Sequence, residues 1–238
     1  MKSSVFKCFG IGKNDVKIIL SDIYLDSNGV LITITENIAD LTIKLESDEH
    51  NENFDNISSE IYQRLNNFIY AEEDISIYEA VFKLLKMNNL KIATAESITA
   101  GNICSCLVKN NPGASEVVVE GLVVYSNEAK IKLLNIQQET LDKHSAVSAQ
   151  ITYDMAKNLL EISNSDIVIT TTGYAGGDKN PENGLNFIAI GDKKKIDVYK
   201  NQFEGTRSEV IEIVTLASFF YLIKKLRKKD FFLEKNII

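Results

Sequence analysis

The sequence predicts an α/β protein, a three-layer α/β/α sandwich with a mainly parallel sheet that is preceded by a small α+β domain. From residue 90 onward, β-branched runs alternate with amphipathic segments, which is typical of a parallel sheet covered by helices on both faces. Before residue 71, an apolar alternating stretch, an acidic Asn-rich turn and a helix-like segment follow one another. The polar run AEEDIS at 71–76 separates the two patterns. We therefore predict two domains, residues 1–73 and 74–230.

Helix-start signals and hydrophobic periodicity place the elements of the second domain. A capping box, Ser76-x-x-Glu79, starts its first helix, and a second one, Thr206-x-x-Glu209, starts its last helix. Apolar residues repeat at helical spacing after Ser148, which predicts another helix. The remaining predicted elements are strands at 90–94, 116–125, 166–171, 185–190 and 195–203, and helices that begin near 97 and cover 127–134.

Composition narrows the classes of partner. The chain has 238 residues and a formal net charge of -7, which argues against binding to nucleic acids or to anionic membranes. No apolar run approaches the roughly 18 residues that a bilayer-spanning helix needs. The three cysteines are an odd set without metal-ligand spacing, so neither a disulfide framework nor a zinc site is expected. We predict a cytoplasmic protein that binds neither a metal nor a cofactor.

The candidate chemistry lies between residues 94 and 130, where three hydroxyls and a lysine occur in a chain with two histidines. His50 sits in a polar run, so a Ser-His-Asp triad would depend on His144 alone. A serine nucleophile here more plausibly uses a lysine or a tyrosine as its base. This combination points to acyl or amide chemistry.

Three loops are expected at the carboxyl ends of the strands, where ligands bind in such sheets. In AESITAG, the chain passes from a strand into a helix, and the free N–H groups at the start of that helix can hold an anion. The alternative is that Ser97 and Thr99 only cap the helix. The loop TTTGYAGGD contains glycines that allow a ligand to approach the backbone closely. In GLVVYSNEAK, Tyr125 ends a strand and Lys130 lies in the next helix, where a lysine is usually solvated surface.

Taken together, these motifs resemble the C-terminal domain of the CinA (competence/damage-inducible) family. The resemblance covers about residues 75–228 and includes, in the family's order, AES-x-T-x-G, PGAS, G-x-V-x-YSNEAK, AVS, TG-x-AG and G-x-R. The segment that contains FKCFGIGK resembles the small connecting domain that precedes this domain in full-length relatives. The family's large N-terminal domain, similar to molybdopterin-binding proteins, has no counterpart in this sequence.

The resemblance implies hydrolysis of the carboxamide of nicotinamide mononucleotide to nicotinic acid mononucleotide and ammonia, without metal or cofactor. It implies a catalytic group of Ser97, Ser115, Tyr125 and Lys130, with Ser115 favoured as the nucleophile and Lys130 as the base. Tyr125 and Ser97 would relay the proton or fix the nucleophile's rotamer. The sequence does not separate Ser97 from Ser115 as the nucleophile.

The resemblance also implies how the substrate binds. Backbone N–H groups of residues 99–101 and of 172–177, which include Gly177, would meet the 5′-phosphate, and Arg207 would add a two-pronged donor. The implied substrate-binding residues are Glu96, Thr99, Gly101, Thr172, Gly173, Gly176 and Arg207. We further expect a homodimer, because the apolar runs VVVEGLVVY and LASFFYLI exceed what one sheet face buries and because the family commonly forms dimers.

Some positions depart from the family pattern. Ala100 stands where most members have glycine, Tyr174 where they have isoleucine, and Leu185 where they have a hydroxyl residue. Val210 and Ile211 occupy the turn after Arg207, where the family usually has a second basic residue. Two alternatives therefore stay open: a catalytically silent regulatory or interaction protein, and an amidohydrolase that acts on a related pyridine or ribosyl amide.

Overall fold

A computed structural model describes residues 1–25, 27–176 and 182–234, with side chains described as far as Arg227. The chain divides into two compact units, Met1–Ala80 and Val81–Ile238. The first contains an antiparallel sheet and the second a mixed sheet between helices. The predicted α/β class with a smaller α+β domain is confirmed.

The first unit is a four-stranded sheet with helices. Its core is formed by alternate strand residues, such as Ile43 and Leu45, and by Ile57, Ile61 and Leu65, which lie on one face of a helix. The strand order is β2-β3-β1-β4, with antiparallel neighbours. The elements are β1 (Lys2–Phe9), α1 (Lys13–Ile19), α2 (Ser21–Leu25), β2 (Leu31–Asn37), β3 (Asp40–Ser47), α3 (Phe54–Leu65) and β4 (Ile69–Ala71).

The second unit is built on a five-stranded sheet in the order β6-β5-β7-β8-β9. Its elements are α4 (Ile77–Met87), whose first residues belong to the first unit, β5 (Ile92–Glu96), α5 (Asn102–Asn110), β6 (Val118–Val123), α6 (Asn127–Leu134), α7 (Gln138–His144), α8 (Ala149–Ile162), β7 (Ile167–Gly173), β8 (Leu185–Asp192), β9 (Ile196–Gln202) and α9 (Arg207–Glu234). Helices α6, α7 and α8 lie on one face of the sheet, and α5 and α9 lie on the other.

The sheet is less parallel than expected. β5 pairs in parallel with β6 and β7, whereas β7–β8 and β8–β9 are antiparallel. Only three residues join β8 to β9, and a parallel connection needs about a dozen or more. Strands β8 and β9 therefore form a hairpin, while the parallel strands β5, β6 and β7 bring their carboxyl ends to one edge.

Local helix signals behave as predicted. The Glu79 N–H donates to Ser76 Oγ at 3.3 Å, so Ser76 caps α4, and the Thr206 N–H donates to Glu209 Oε2 at 2.8 Å while the Glu209 N–H donates to Thr206 Oγ1 at 3.4 Å, so the second capping box forms. Ser148 caps α8 through the N–H of Ile151.

Two elements of the second unit differ from the prediction. The helix α7 is not among the predicted elements, and the predicted strand at 116–125 is shorter, because residues Ala114–Glu116 form a 3₁₀ turn. Within the described ranges, no helix combines the length and apolar character needed to cross a bilayer.

The predicted domain boundary at 71–76 stays a prediction, and limited proteolysis tests it. Glu72, Glu73 and Asp74 form an exposed bend directly after β4. We expect a glutamate-specific protease to cut first at Glu72 or Glu73, because exposed bends outside helices and strands are the usual sites of nicking. Mass spectrometry of the early fragments measures this. Early cleavage elsewhere, with 71–76 intact, contradicts the boundary.

Candidate active site

The carboxyl ends of the three parallel strands carry the polar side chains that the sequence singles out. Ser97 follows β5 directly, and Tyr125 follows β6 after one intervening residue. Gly173 is the last residue of β7. Because parallel strands end at the same edge of the sheet, these residues lie together in the second unit. Arg207, the first residue of α9, reaches the same edge.

Glu96 holds the turn between β5 and α5 from the inside. Its carboxylate is fully buried and accepts hydrogen bonds from the N–H groups of Gly101 at 3.0 Å, Ile103 at 3.0 Å and Cys104 at 2.9 Å. The first N–H groups of a helix have no acceptor within the helix, and they carry its positive end. Glu96 therefore supplies the anion that this helix start requires, and it fixes the turn that contains Ser97.

This arrangement corrects the expectation that residues 99–101 and Glu96 bind substrate. The N–H groups of Ala100 and Gly101 already donate to Ser97 O and to Glu96, so they are not available to a phosphate. The Thr99 hydroxyl is buried, 2.8 Å from the Thr171 hydroxyl. A helix does start here, as the sequence predicts, but the Glu96 carboxylate occupies the position at its N-terminus where an anionic ligand would bind.

Ala100 adopts a backbone conformation that glycine accommodates more easily. Its φ of 52° lies in the left-handed region. An L-residue there is disfavoured by roughly 1 kcal/mol because its Cβ crowds the backbone. The substitution at Ala100 thus adds local strain to the turn that Glu96 holds.

Lys130 is buried beside Ser97. Its side chain is 1% exposed, and its Nζ lies 3.1 Å from Ser97 Oγ, 2.9 Å from Val124 O and 3.3 Å from Tyr125 O. Ser126 caps α6, so Lys130 occupies the first turns of this helix. Side chains of a helix point toward its N-terminus, which directs Lys130 back to the end of β6.

Burial changes the acid–base state of this lysine. Removal of Lys130 from water lowers the pKa of its amine to about 8. In the neutral amine, two N–H bonds satisfy the carbonyls of Val124 and Tyr125, and the lone pair then faces Ser97 Oγ. The arrangement therefore suits proton transfer from the serine to the lysine.

The structure does not bring Ser115 to Lys130, which corrects the preference for Ser115 as nucleophile within one chain. Ser115 is exposed in the turn before β6, and the adjacent Glu116 carbonyl accepts a hydrogen bond from Lys91 at the start of β5. In the parallel sheet, this is the amino edge. About six strand residues separate it from Val124, a distance of roughly 20 Å.

A cavity of about 220 Å³ lies at the carboxyl edge, and its lining includes Ile98, the residue after Ser97, and Tyr125, whose carbonyl accepts from Lys130. Arg207 closes one side, because its guanidinium donates to Gly176 O at 2.9 Å and to Tyr125 Oη at 3.1 Å. The loop after β7 and the end of β6 are thereby joined. The lining residues are Ile98, Tyr125, Gly173, Tyr174, Ala175, Gly176, Asn183 and Arg207.

Three of the predicted substrate-binding residues line this cavity: Gly173, Gly176 and Arg207. Thr172 does not, because it is buried and its hydroxyl donates to Ala146 O at 2.9 Å. Gly177 lies outside the described residues.

Ile98 and Asn183 line the cavity but are not among the residues that the sequence predicts, whereas Ala175 belongs to the predicted 172–177 loop. Asn183 precedes Gly184, and an Asn-Gly pair is a turn signal that could have indicated it. Ile98 gives no such signal, because an isolated apolar residue resembles core. In the part of the chain that the structure describes, no group of three or more His, Cys, Asp or Glu side chains could hold a metal ion.

Comparisons with known proteins agree on one family. A profile of the CinA C-terminal domain matches residues 74–226. A CinA-like protein of Fusobacterium nucleatum is 34% identical over 227 residues, and one of a Sulfurihydrogenibium species is 36% identical over 212 residues. These matches cover 93% and 87% of this chain but 55% and 51% of the relatives. The chain thus spans about half the length of these curated relatives.

Solved structures of the CinA superfamily are also similar. The protein from Klebsiella pneumoniae 700603 gives a TM-score of 0.61 at 28% identity, covering 65% of this chain and 99% of that chain. The protein from Enterobacter cloacae gives a TM-score of 0.59 at 30% identity, covering 66% and 96%.

Replacing Glu96 tests its role in the turn. In Glu96→Gln, an NH₂ group replaces one oxygen that faces helix N–H donors, so we expect the free energy of unfolding to fall by about 3 kcal/mol. Urea unfolding at neutral pH measures the change. Glu139→Gln, at an exposed position in α7, is the matched control and should stay within about 0.5 kcal/mol. Equal stabilities of the two variants would contradict this role.

Proposed function

Because the chain belongs to the CinA family, we propose that its second unit hydrolyses the carboxamide of nicotinamide mononucleotide to nicotinic acid mononucleotide and ammonia. The observation that carries the proposal is the buried Ser97–Lys130 pair beside a cavity with a guanidinium on its wall. The pair supports amide hydrolysis, and the cation supports an anionic substrate. A serine-lysine mechanism requires no metal or cofactor.

In the first half of the proposed reaction, Ser97 Oγ attacks the carboxamide carbon while the neutral Lys130 amine takes the hydroxyl proton. The tetrahedral intermediate collapses when the C–N bond breaks, and protonated Lys130 returns the proton to the departing ammonia. In the second half, Lys130 removes a proton from water, which attacks the acyl ester. Collapse of that intermediate releases the acid and returns the proton to Ser97.

Two groups are suited to stabilise the oxyanion of these intermediates. The backbone N–H of Ile98, the residue after the proposed nucleophile, has no acceptor within the described part of the chain. The Tyr125 oxygen accepts a hydrogen bond from Arg207, which leaves its own proton free to donate into the cavity. A donor from the residue after the nucleophile is a recurring feature of serine hydrolases.

Arg207 is the proposed contact for the 5′-phosphate. Two of its N–H groups bind Gly176 and Tyr125, and a guanidinium carries five N–H donors, so others remain for phosphate oxygens. A second cation in the next turn is not necessary for this contact. Val210 is only 1% exposed, so this position packs into the protein and does not face the cavity.

A related pyridine or ribosyl amide is the second candidate substrate, favoured by one observation. Tyr174, which departs from the family pattern, lines the same cavity as Tyr125. An additional aromatic side chain there changes the shape of the space in which the ring of the substrate would bind. The chemistry at Ser97 and Lys130 would be the same.

The homodimer and the cytoplasmic location stay predictions. β6 is an edge strand of the sheet, and its Val119 and Val123 side chains are 43% and 48% exposed. An exposed apolar edge of this kind supports association with a second copy.

Substitutions at the pair distinguish the two serines. We expect Lys130→Ala, Lys130→Arg and Ser97→Ala to lower ammonia release from nicotinamide mononucleotide by at least about a thousandfold, because each removes one member of a coupled pair. Arginine does not replace the lysine, because its guanidinium keeps the proton. Ser115→Ala, on the opposite edge, is the matched control and should keep parental activity. Loss of activity in Ser115→Ala with retention in Ser97→Ala would refute Ser97 as nucleophile.

The pH dependence follows from the lowered pKa of Lys130. The base must be neutral in the free enzyme, so kcat/KM should rise with pH and level off above an apparent pKa of about 8. Initial rates between about pH 6 and pH 10 measure the profile. A kcat/KM that falls with pH across this range, or one that does not change with pH, would rule out Lys130 as the base.

A further inference from the structure

A row of polar side chains crosses the sheet behind the cavity. Asn186 on β8 is the cross-strand partner of Gly173 on β7 and of Asn201 on β9. Cross-strand partners lie on the same face of a sheet, and at Gly173 this row has no side chain. A Cβ at Gly173 would come within 2.7 Å of the Asn186 Cβ, so Asn186 packs directly against the end of β7.

Hydrogen bonds run along this row from α9 to the cavity. The Tyr221 hydroxyl donates to Asn201 Oδ1 at 2.6 Å, and Asn201 Nδ2 donates to Asn186 Oδ1 at 3.1 Å. Asn186 Nδ2 then donates to Gly184 O at 2.9 Å. The Tyr221 ring stacks on Tyr199 with 3.9 Å between the ring centroids, which holds its hydroxyl in place.

The row ends at the backbone that lines the cavity. The Gly184 N–H donates to Tyr174 O at 2.7 Å, and the Tyr174 N–H donates to Leu185 O at 2.9 Å. The Gly184 carbonyl also accepts from the Phe203 N–H at 3.1 Å, and a Cβ at Gly184 would lie 1.8 Å from Phe203 O, so this glycine packs directly against Phe203. Gly184 thus joins Asn186, which bonds its carbonyl, to Tyr174, whose carbonyl accepts from its N–H, and two residues after Tyr174 comes the Gly176 carbonyl that accepts from Arg207.

An apolar side chain at position 186 would have filled this space with less risk to stability. Asn186 is fully buried, and a buried amide that loses its partners costs about 1–3 kcal/mol. The two residues that follow it on the same face, Ile188 and Ile190, are apolar. The Asn186 amide donates through its nitrogen and accepts through its oxygen, and only one orientation of its neighbours satisfies both bonds.

We propose that Asn186 is a positioning residue for substrate binding: through Gly184 it orients the Tyr174 segment and the carbonyl that holds Arg207. The inference rests on the proposed function only for its kinetic consequence. Asn186 makes no hydrogen bond to Ser97 or Lys130 within the described residues. It therefore acts on substrate binding and not on the bond-breaking steps.

The double variant Asn186→Leu/Asn201→Leu tests the proposal, because it removes both amides without leaving either one unpaired. We expect KM for nicotinamide mononucleotide to rise about tenfold, while kcat stays within about twofold. Asn111→Leu is the matched control: Asn111, the residue after α5, is also buried, and it donates to the backbone carbonyl of Leu107 in that helix. Its KM should not change, whatever its stability. An unchanged KM in the double variant overturns the inference.

Amide hydrogen exchange gives a readout that does not require activity. In the double variant, the N–H groups of Tyr174 and Gly184 should exchange about tenfold faster, while amides in β5 keep their protection. Unchanged exchange at both amides overturns the inference. If the parent releases no ammonia, the proposed function fails, and the exchange rates alone then decide the role of Asn186. If the double variant does not fold, Tyr221→Phe, which removes only the outer hydroxyl, should show a smaller change in the same direction, and no change overturns the inference.

Discussion

The carboxylate of Glu96 inside the start of α5 is the interaction on which the site depends. It connects the last residue of a buried strand to the first N–H groups of the next helix, so the turn that carries Ser97 is held at both ends. The internal anion also uses the positive end of the helix. An anionic substrate must therefore find its counter-charge elsewhere, and Arg207 is the cation on the cavity wall. One buried side chain thus sets the direction of the proposed nucleophile and the side from which a phosphate approaches.

Burial of Lys130 has two effects: it lowers the stability of the folded protein and it lowers the pKa of the amine. Burial lowers its pKa from the ordinary value of 10.5 to about 8. Between these two values the unfolded chain binds more protons than the folded one, so the contribution of Lys130 to stability rises with pH in this window. Below about pH 8 the folded protein holds the charged ammonium inside, and the full cost of burial is present. The same desolvation makes the amine available as a base near neutral pH.

The sequence predicted what depends on local signals. Ser76 and Thr206 both cap the helices they were expected to start, and the strand and helix alternation placed Ser97, Tyr125 and Gly173 at one edge. The role of Glu96 was not predictable, because its partners become neighbours only when the turn after β5 folds. The sequence alone could have excluded Ser115 as the nucleophile that pairs with Lys130. A predicted strand between Ser115 and Tyr125 already implied that its two ends lie at opposite edges of the sheet.

The site is divided between two parts of the fold, and this division shapes what its sequence changes mean. Ser97 and Lys130 come from β5, α5 and α6, whereas most of the cavity wall comes from the loop after β7 and the start of α9. Tyr174 belongs to this wall, whereas Leu185 and Val210 are not among its lining residues. A change at Tyr174 would alter the shape of the cavity without moving the proposed nucleophile or the proposed base. The two substrate classes considered for this chain therefore differ in the wall of the cavity, and both would use the Ser97–Lys130 pair, which that wall does not include.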